Sequence, residues 1–349
     1  MRKYLLPEGL PFYKANLHCH STESDGRLTP AELKEAYKAK GYSVLAFTDH
    51  EILVPHPQLD DPEFLTLNGY ELEVIDDYPI GSSYGHRKLC HLCLIAMEPD
   101  NFKQVFWNRL YLDPEKVLQH RHMTKAYDDV PDTKRVFSGE GISDLMRSAR
   151  EDGFFVTYNH PNWSRVDITD IADYHGMHAL EIYNHGCMIS GYDDYNPALY
   201  DSMLRRNQRV YCVAADDNHI SAGQFGGWNM ICAEKLEYRT ITKALENGNF
   251  YASTGPEIYA LWFEDGNIHI HCSPAARIIA TFGVRKRICI NKADAPLTEA
   301  VIPVGQDDIY VRLTVWDDKH NHAETNGYFT DELFREEKTA AEIPKQFSY

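Results

Sequence analysis

The chain predicts an α/β domain over residues 1–255 followed by a smaller, all-β, sandwich-like domain over 256–349. Three observations carry that division. Apolar strands alternate with amphipathic helices through the first part. Those strands end in histidines and acids. After "STGP" (253–256) the pattern turns to period two, with no helical period until about residue 331.

The elements can be justified in order. Residues 13–20 read as a strand running into "NLHCHSTESDG" (16–26), which sets two histidines one residue apart. "TPAELKEAYKAKG" (29–41) is a helix: Thr29 caps it, Pro30 suits its first position, Glu32 completes a capping box and Gly41 stops it. Leu33, Ala36 and Tyr37 form its inward stripe. "SVLAFTDH" (43–50) is an apolar strand of the kind buried on both faces of a parallel sheet, with Asp49 and His50 at its polar end. "ISDLMRSAREDG" is amphipathic through Ile142, Leu145, Met146 and Ala149, and leads into the strand "FFVTYNHP". "HALEIYNHG" (178–186) and "VYCVAADDNH" (210–219) are two more strands with polar C-terminal ends, where parallel α/β sheets bind ligands. Residues 98–140 interrupt the rhythm as an insertion, either a solvated excursion or a substrate lid. "TITKALENG" is a short helix, "IYALWFEDGNIHIHCS" a hairpin around Glu264-Asp265-Gly266-Asn267, and "EEKTAAEIPKQFSY" (336–349) a tail or packing arm.

Composition narrows the function. A formal net charge of −17 repels nucleic acid and anionic membranes, which need a basic surface, although a local metal cluster can still hold an anion. Residues 1–15 lack the apolar core of a secretory signal, and no run approaches the roughly 18 apolar residues that span a bilayer. Eight cysteines in a chain of this length do not look like a disulfide framework and read as cytoplasmic thiols. Cys90 and Cys93 form a CxxC with no second pair to complete a zinc knuckle, and read as strand residues. "HRHMT" (120–124) repeats the His-x-His spacing inside a helix-like stretch, where those side chains do not share a face, and reads as surface.

The polar residues at the strand ends are His18, His20, Asp25, His50, Glu71, His91, His160, Asp217 and His219. Burying so many ionisable groups together would be costly without a counter-charge. Divalent cations remove the difficulty, because imidazole and carboxylate suit zinc, manganese and iron, and one carboxylate can bridge two ions. Glu73 competes with Glu71, His86 with His91 and Asp216 with Asp217. His91 opens an apolar strand and Asp217 keeps an Asp-x-His spacing, so these two are preferred, while Glu71 and Glu73 face the same side of a strand.

"HCHSTESDG", "FTDH", "GYELEV", "HLCLI", "NHP" and "DDNH", in this order over roughly residues 13–255, resemble the successive motifs of the PHP (polymerase and histidinol phosphatase) superfamily. "GNFYASTGPEI" and "SPAARI" are similar to its branch related to carbamate-cleaving hydrolases, which adds a C-terminal immunoglobulin-like domain. The resemblance implies a distorted (β/α)7 TIM-like barrel with two or three divalent ions (zinc, manganese or iron) at its C-terminal face. Only the Gly69-Tyr70 before Glu71, matched to the family pattern, separates Glu71 from Glu73. Carried over by position, one ion falls to His18, His20, Glu71 and Asp217. A second shares Glu71 and adds His91 and His160, and a third uses Asp25, His50 and His219. This chain has Asp25 where many relatives have a histidine.

The implied activity is hydrolysis of a small, anionic phosphoester by a metal-bridged hydroxide, with neither nucleic acid nor membrane as partner. Arg165, in "NHPNWSR", is placed by sequence to bind phosphate oxygens, ahead of Arg121 and Lys125, and His185 to protonate a leaving group or to act as a hydrogen-bonded support. "GQFGGW" (223–228) lacks a P-loop lysine and is expected to shape the pocket. Two other readings stand: metal-dependent hydrolysis of a carbamate, amide or ester, and a metal-stabilised binding module. The sequence leaves the oligomeric state open.

Overall fold

The computed structural model describes residues 2–76 and 84–335. The stretch 336–349, read above as a tail, lies outside them. The chain opens with a two-residue strand, β1 (Lys3–Tyr4), and then builds the first part from β2 (Phe12–Asn16), α1 (Pro30–Lys38), β3 (Val44–Phe47), β4 (Leu65–Ile75) and β5 (Leu89–Ala96). The insertion carries two short helices, α2 (Pro114–Gln119) and α3 (Arg121–Thr124). There follow α4 (Gly139–Glu151), β6 (Phe154–Tyr158), α5 (Ile168–Ile171), β7 (Ala179–Asn184), α6 (His185–Ile189), α7 (Pro197–Arg205), β8 (Tyr211–Ala215), β9 (Trp228–Cys232), α8 (Tyr238–Glu246) and β10 (Phe250–Ser253). The rest is β11 (Ile258–Glu264), β12 (Asn267–Ala275), β13 (Arg277–Phe282), β14 (Arg287–Asn291), β15 (Leu297–Pro303), β16 (Tyr310–Trp316), β17 (His322–Glu324), β18 (Tyr328–Phe329) and α9 (Thr330–Leu333).

Local chemistry accounts for the elements that hold the site. Thr29 and Glu32 close the capping box of α1, and Leu33 and Tyr37 are buried on its inner face. The four stripe residues of α4 are all buried. The hairpin turn between β11 and β12 puts Asp265 and Gly266 at φ 49° and 75°, the two positive values that a two-residue type I′ turn requires.

The larger sheet runs β14-β13-β16-β17-β10-β9-β2-β3-β4-β5-β6-β7-β8, and the smaller β1-β11-β12-β15. The first part is mixed α/β, and it departs from a uniform (β/α)7 ring. β5 runs antiparallel to both β4 and β6, and β9 runs antiparallel to β2. An apolar run such as "HLCLI" carries no direction, so this reversal could not be read from the residues. The hydrogen-bonded ladder ends at β8. The sheet nevertheless curls back: Asn229 of β9 receives the Ala214 N–H at 3.1 Å and donates to the Ala214 carbonyl at 2.8 Å, and Cys19 bridges Asn218 beyond the ends of β2 and β8. One interior core draws Ala15, Val44, Leu67, Ile95, Phe155 and Val213 from six strands. The outer faces of β4 to β8 pack on α4 and α7. A separate core holds the two sheets of the β-rich remainder together, and Leu6 belongs to it.

All eight cysteines are free thiols, and Cys90 and Cys93 are buried strand residues. No helix of the described residues is long and apolar enough to cross a membrane.

His178 offers a test of this packing. Its ring stacks on Phe155 at 4.8 Å, and its Nδ1 accepts the Val156 N–H at 3.0 Å, which needs a neutral ring. Burial, with Arg150 adding to it, pushes the imidazole down to about 4. The unfolded chain takes up that proton near pH 6.5 and the folded chain does not, so stability is intact above 6.5 and falls as pH drops towards 4, by about 3 kcal/mol. His178→Gln should flatten this slope in denaturant titrations at pH 7 and pH 5. Parallel slopes for variant and parent would remove His178 as its cause.

Candidate metal centre

Beyond Asn16 the chain stays extended, so His18 and His20 project to one side while Cys19 packs into the core beneath α1. The Asn16 side chain donates to the His18 carbonyl at 3.0 Å and accepts the Asp216 N–H at 3.1 Å, which ties the first motif to the last. A Cβ at Gly26 would stand 2.5 Å from the His20 carbonyl oxygen, so the "SDG" turn closes only on glycine. Asp49 accepts from the backbone N–H and hydroxyl groups of Ser21 and Ser24, holding the same loop, and leaves His50 to face the site. Since β5 is reversed, its beginning rather than its end reaches this edge, and with it His91. His160 and Asp217 sit just past β6 and β8 at φ 23° and 48°, a backbone cost that non-glycine residues carry mainly at functional positions.

These residues converge on Glu71. Its Oε1 lies 3.2 Å from His18 Nε2, His91 Nδ1 and His160 Nε2 alike, and its Oε2 lies 3.2 Å from His50 Nδ1 and 3.4 Å from His20 Nε2. Asp217 Oδ1 stands 3.2 Å from His18 Nε2 and 3.1 Å from His20 Nε2, and those two nitrogens are 3.1 Å apart. On the open side Asp25 lies 3.4 Å from His219 Nε2 and 3.8 Å from His50 Nε2 and His20 Nδ1. His20 and His50 therefore present one nitrogen to Glu71 and the other to Asp25. Four groups place their ligand atoms within 4.8 Å of one another: His20-Asp25-His50-His219, His18-Glu71-Cys93, His18-His160-Asp217 and His50-Glu71-His91. All nine residues preferred from the sequence meet here, though His50 stands closer to Glu71, at 3.2 Å, than to Asp25, at 3.8 Å.

A supporting layer fixes the rings. Glu181 takes His18 Nδ1 at 2.6 Å and the His160 N–H at 3.0 Å. Asn159 donates to Glu71 at 2.7 Å, Asn184 to Asp217 at 3.1 Å, and Ser164 lies 3.1 Å from His160 Nδ1. Glu73 holds His91 Nε2 at 2.9 Å and receives the Tyr84 hydroxyl. Such partners set which ring nitrogen is free to bind a metal. Glu181, Asn159, Asn184 and Ser164 escaped the sequence reading. The acid inside the apolar run "ALEIY" was the signal for Glu181, while the other three look like ordinary loop and cap residues.

Electrostatics follow from the crowding. Burial works against a charged Glu71, yet His18, His91 and the hydrogen bond from His160 hold it well below the carboxylate range. Asp217 is likewise low, against burial, beside His18 and His20. Burial also opposes charge on His20 and His91, but their carboxylate partners push both up to about 10. His50 falls to about 4 through burial and the neighbouring His20.

The remaining candidates lie apart from this cluster. Arg165 is exposed and lines a separate cavity with Lys88 and Asn162, so it does not join the cluster: at φ 60° the loop after "NHP" turns its side chain outward. His185 opens α6 with its ring against Gly226 and its Nδ1 3.1 Å from the Tyr183 hydroxyl, off the lining of the metal cavity. Arg121 pairs on the surface with Asp128. His86 is exposed. Asp216 accepts the N–H groups of Phe225, Gly226 and Gly227, anchoring the glycine-rich loop rather than facing the cluster. His120, read as surface, is buried 2.8 Å from Glu23, which docks the insertion against the "STESDG" loop.

The donor set suits divalent cations. His20 Nδ1, His91 Nδ1 and Asp217 Oδ1 are buried without a well-formed hydrogen bond, although another ligand-type atom stands within 3.8 Å of each, the crowding that a shared cation would relieve. The cavity above them has a volume of about 420 Å³, with Trp163, Ile189 and Ile220 on its far wall.

No family model matches the chain. Over 40 residues, 12% of this chain and 15% of the relative, it is 52% identical to a 5′-3′ exoribonuclease of Haemophilus influenzae. Similar solved structures include a Bacteroides vulgatus two-domain protein containing a predicted PHP-like metal-dependent phosphoesterase, with 14% identity, TM-score 0.44, and coverage of 94% of this chain and 97% of that one. A candidate metal-dependent phosphoesterase of Bifidobacterium adolescentis has 15% identity and TM-score 0.40, covering 68% and 98%. An amidohydrolase of Chromobacterium violaceum, with bound sulfate and no metal, has 18% identity and TM-score 0.37, covering 59% and 88%.

Proposed function

We propose that this chain is a metal-dependent hydrolase of the PHP type that acts on a small phosphoester. The observation that carries the reading is Glu71, one buried carboxylate with five imidazole nitrogens within 3.4 Å. The order of the six motifs supports the same class. His18, His20, Glu71 and Asp217 would hold one ion, Glu71, His91 and His160 a second, and Asp25, His50 and His219 a third, the metal being zinc, manganese or iron. When bound, such ions supply a water of lowered pKa and neutralise charge developing on the attacked group. The chain's own residues do the rest. Glu181 and Ser164 fix the rings of His18 and His160, and Asn159 holds the Glu71 carboxylate. Asp25, His50 and His219, with side chains 57, 31 and 37% exposed, mark the side from which substrate enters. The net charge of −17 and the free thiols favour a small cytoplasmic substrate over a polynucleotide or a membrane.

One observation favours a second reading, hydrolysis of a carbamate, amide or ester. Among the described residues, the lining of the metal cavity includes no Lys or Arg to take phosphate oxygens beyond those the metals hold. A panel of sugar phosphates, an RNA oligonucleotide and aryl carbamates, run on protein of known metal content, separates the readings. Phosphate release from the sugar phosphates is expected. Turnover of the carbamates alone would replace the first reading with the second.

Metal loading should also release protons. His20 and His91, raised to about 10, carry them in the metal-free chain at pH 7 and must shed them to bind an ion. Raised imidazoles stabilise the metal-free fold fully below pH 6.5 and lose that contribution as pH climbs through 10. Calorimetry of metal binding in buffers of different ionisation enthalpy is expected to give at least one proton released per chain. A buffer-independent heat would contradict this.

A further inference from the structure

A second cavity, of about 290 Å³, opens beside the metal cavity, and the two share Asp25, His50 and Tyr84 in their linings. Its outer wall comes from the insertion, through Tyr111, Leu112 and Val117. The wall is fixed in place. Lys116 donates to the Thr22 carbonyl, and His120 meets Glu23. Arg135, further along the insertion, grips the buried Glu51 with two bonds of 2.7 Å and lies 4.2 Å over the Tyr111 ring. Through these contacts the segment 111–120 forms a built side of the site.

The chemistry of the lining selects its occupant. Lys116 is its one Lys or Arg, and it stands among Asp25, Glu51, Glu73 and Asp113. Arg135 neutralises Glu51, and Glu73 is engaged by His91 and Tyr84. Such a lining offers acceptors and hydroxyls for a neutral, hydroxyl-bearing group over the apolar side chains of Ile52, Leu112 and Val117, and it repels a second anion. Resting on the metal-hydrolase reading above, we infer that this cavity receives the leaving group, and that the substrate is an ester of a neutral, ring-sized polyol rather than a bis-anionic compound. The insertion segment 111–117 sets that specificity.

The test measures kcat/KM for methyl phosphate, a hexose 6-phosphate and a hexose 1,6-bisphosphate, with acetate esters of methanol and of the same hexose alongside. Wild type is expected to favour the hexose monoester over both the methyl ester and the bisphosphate. Val117→Trp, which fills the cavity, should lower the hexose-to-methyl ratio at least tenfold, and Val117→Ala should shift it less than twofold or upward. Melting temperature and metal content of each variant separate misfolding from a filled pocket. A ratio that Val117→Trp leaves within twofold, or a preference for the bisphosphate, overturns the inference. Turnover of the acetates alone would end the phosphoester reading, while the ratio read on the acetates would still judge the cavity.

Discussion

Glu71→Gln is expected to cut bound metal to less than one ion per chain and to lower turnover by about 10³-fold, the equivalent of about 4 kcal/mol of barrier. The change keeps the volume and removes one charge. Five imidazole nitrogens that now face a carboxylate would face a neutral amide, whose NH₂ group cannot act as a ligand. Glu73→Gln makes the comparison, since Glu73 touches the metal cluster through His91, and a supporting partner of that kind is worth about 10–100-fold. Elemental analysis and the thermal shift on adding manganese or zinc read the outcome independently of any substrate. A Glu71→Gln protein that loads the same ions with the same shift would show that the convergence on this carboxylate is not a metal site.

Arg312→Met is expected to destabilise the fold by about 3–5 kcal/mol, with a melting temperature lower by roughly 5–15 °C. Arg312, on β16, is 2% exposed. It binds Asp201 of α7 through Nε at 2.6 Å and Nη2 at 3.0 Å, and Glu324 of β17 through Nη1 at 2.7 Å. Glu324 also takes the hydroxyls of Tyr195 at 2.6 Å and Thr314 at 2.7 Å. Methionine fills much the same space but leaves two buried carboxylates with no cation, and that unpaired charge dominates the loss. The triple variant Arg312→Met, Asp201→Asn, Glu324→Gln should recover more than half of it. If the triple variant is no more stable than the single one, packing rather than charge is the cause. Because this cluster joins α7 to the β-rich part, the same variant should loosen the two together in hydrogen exchange.

How legible all this was depended on what each residue announces by itself. Most of the cluster residues could be read because they lie beside a turn signal at the end of an apolar run, so "HCH", "TDH", "NHP" and "DNH" mark positions before any fold is known. Glu71 needed more: it lies within the eleven-residue β4, and only the preceding Gly69-Tyr70 separated it from Glu73. Direction was hidden. β5 is apolar apart from His91 and buried at every position, so nothing in its residues tells that it runs backwards and brings His91 in at its start. Arg165 was placed by proximity in sequence to His160 and His185 by its position at a strand end, and one backbone angle turns the first outward while the second bonds Tyr183. Glu181 lay in plain view inside an apolar strand. Its role depends on His18 and His160 arriving from other strands, and that is a tertiary fact. The insertion's contribution was least visible, because its contacts to Thr22, Glu23 and Glu51 join segments far apart in the chain.

The pairing of Lys3–Tyr4 with Trp262–Phe263, and of β2 with β9, bears on how the protein is made. On a ribosome adding about 5–20 residues per second, the segment bearing His18 and His20 emerges about two hundred residues before its neighbour β9 and its bridge partner Asn218. The earliest ligands to leave the exit tunnel are therefore among the last to be locked. A nascent chain stalled before residue 217 would carry the first histidine pair with no Asp217 opposite it, so the cluster around Glu71 can close only after β8 has been made.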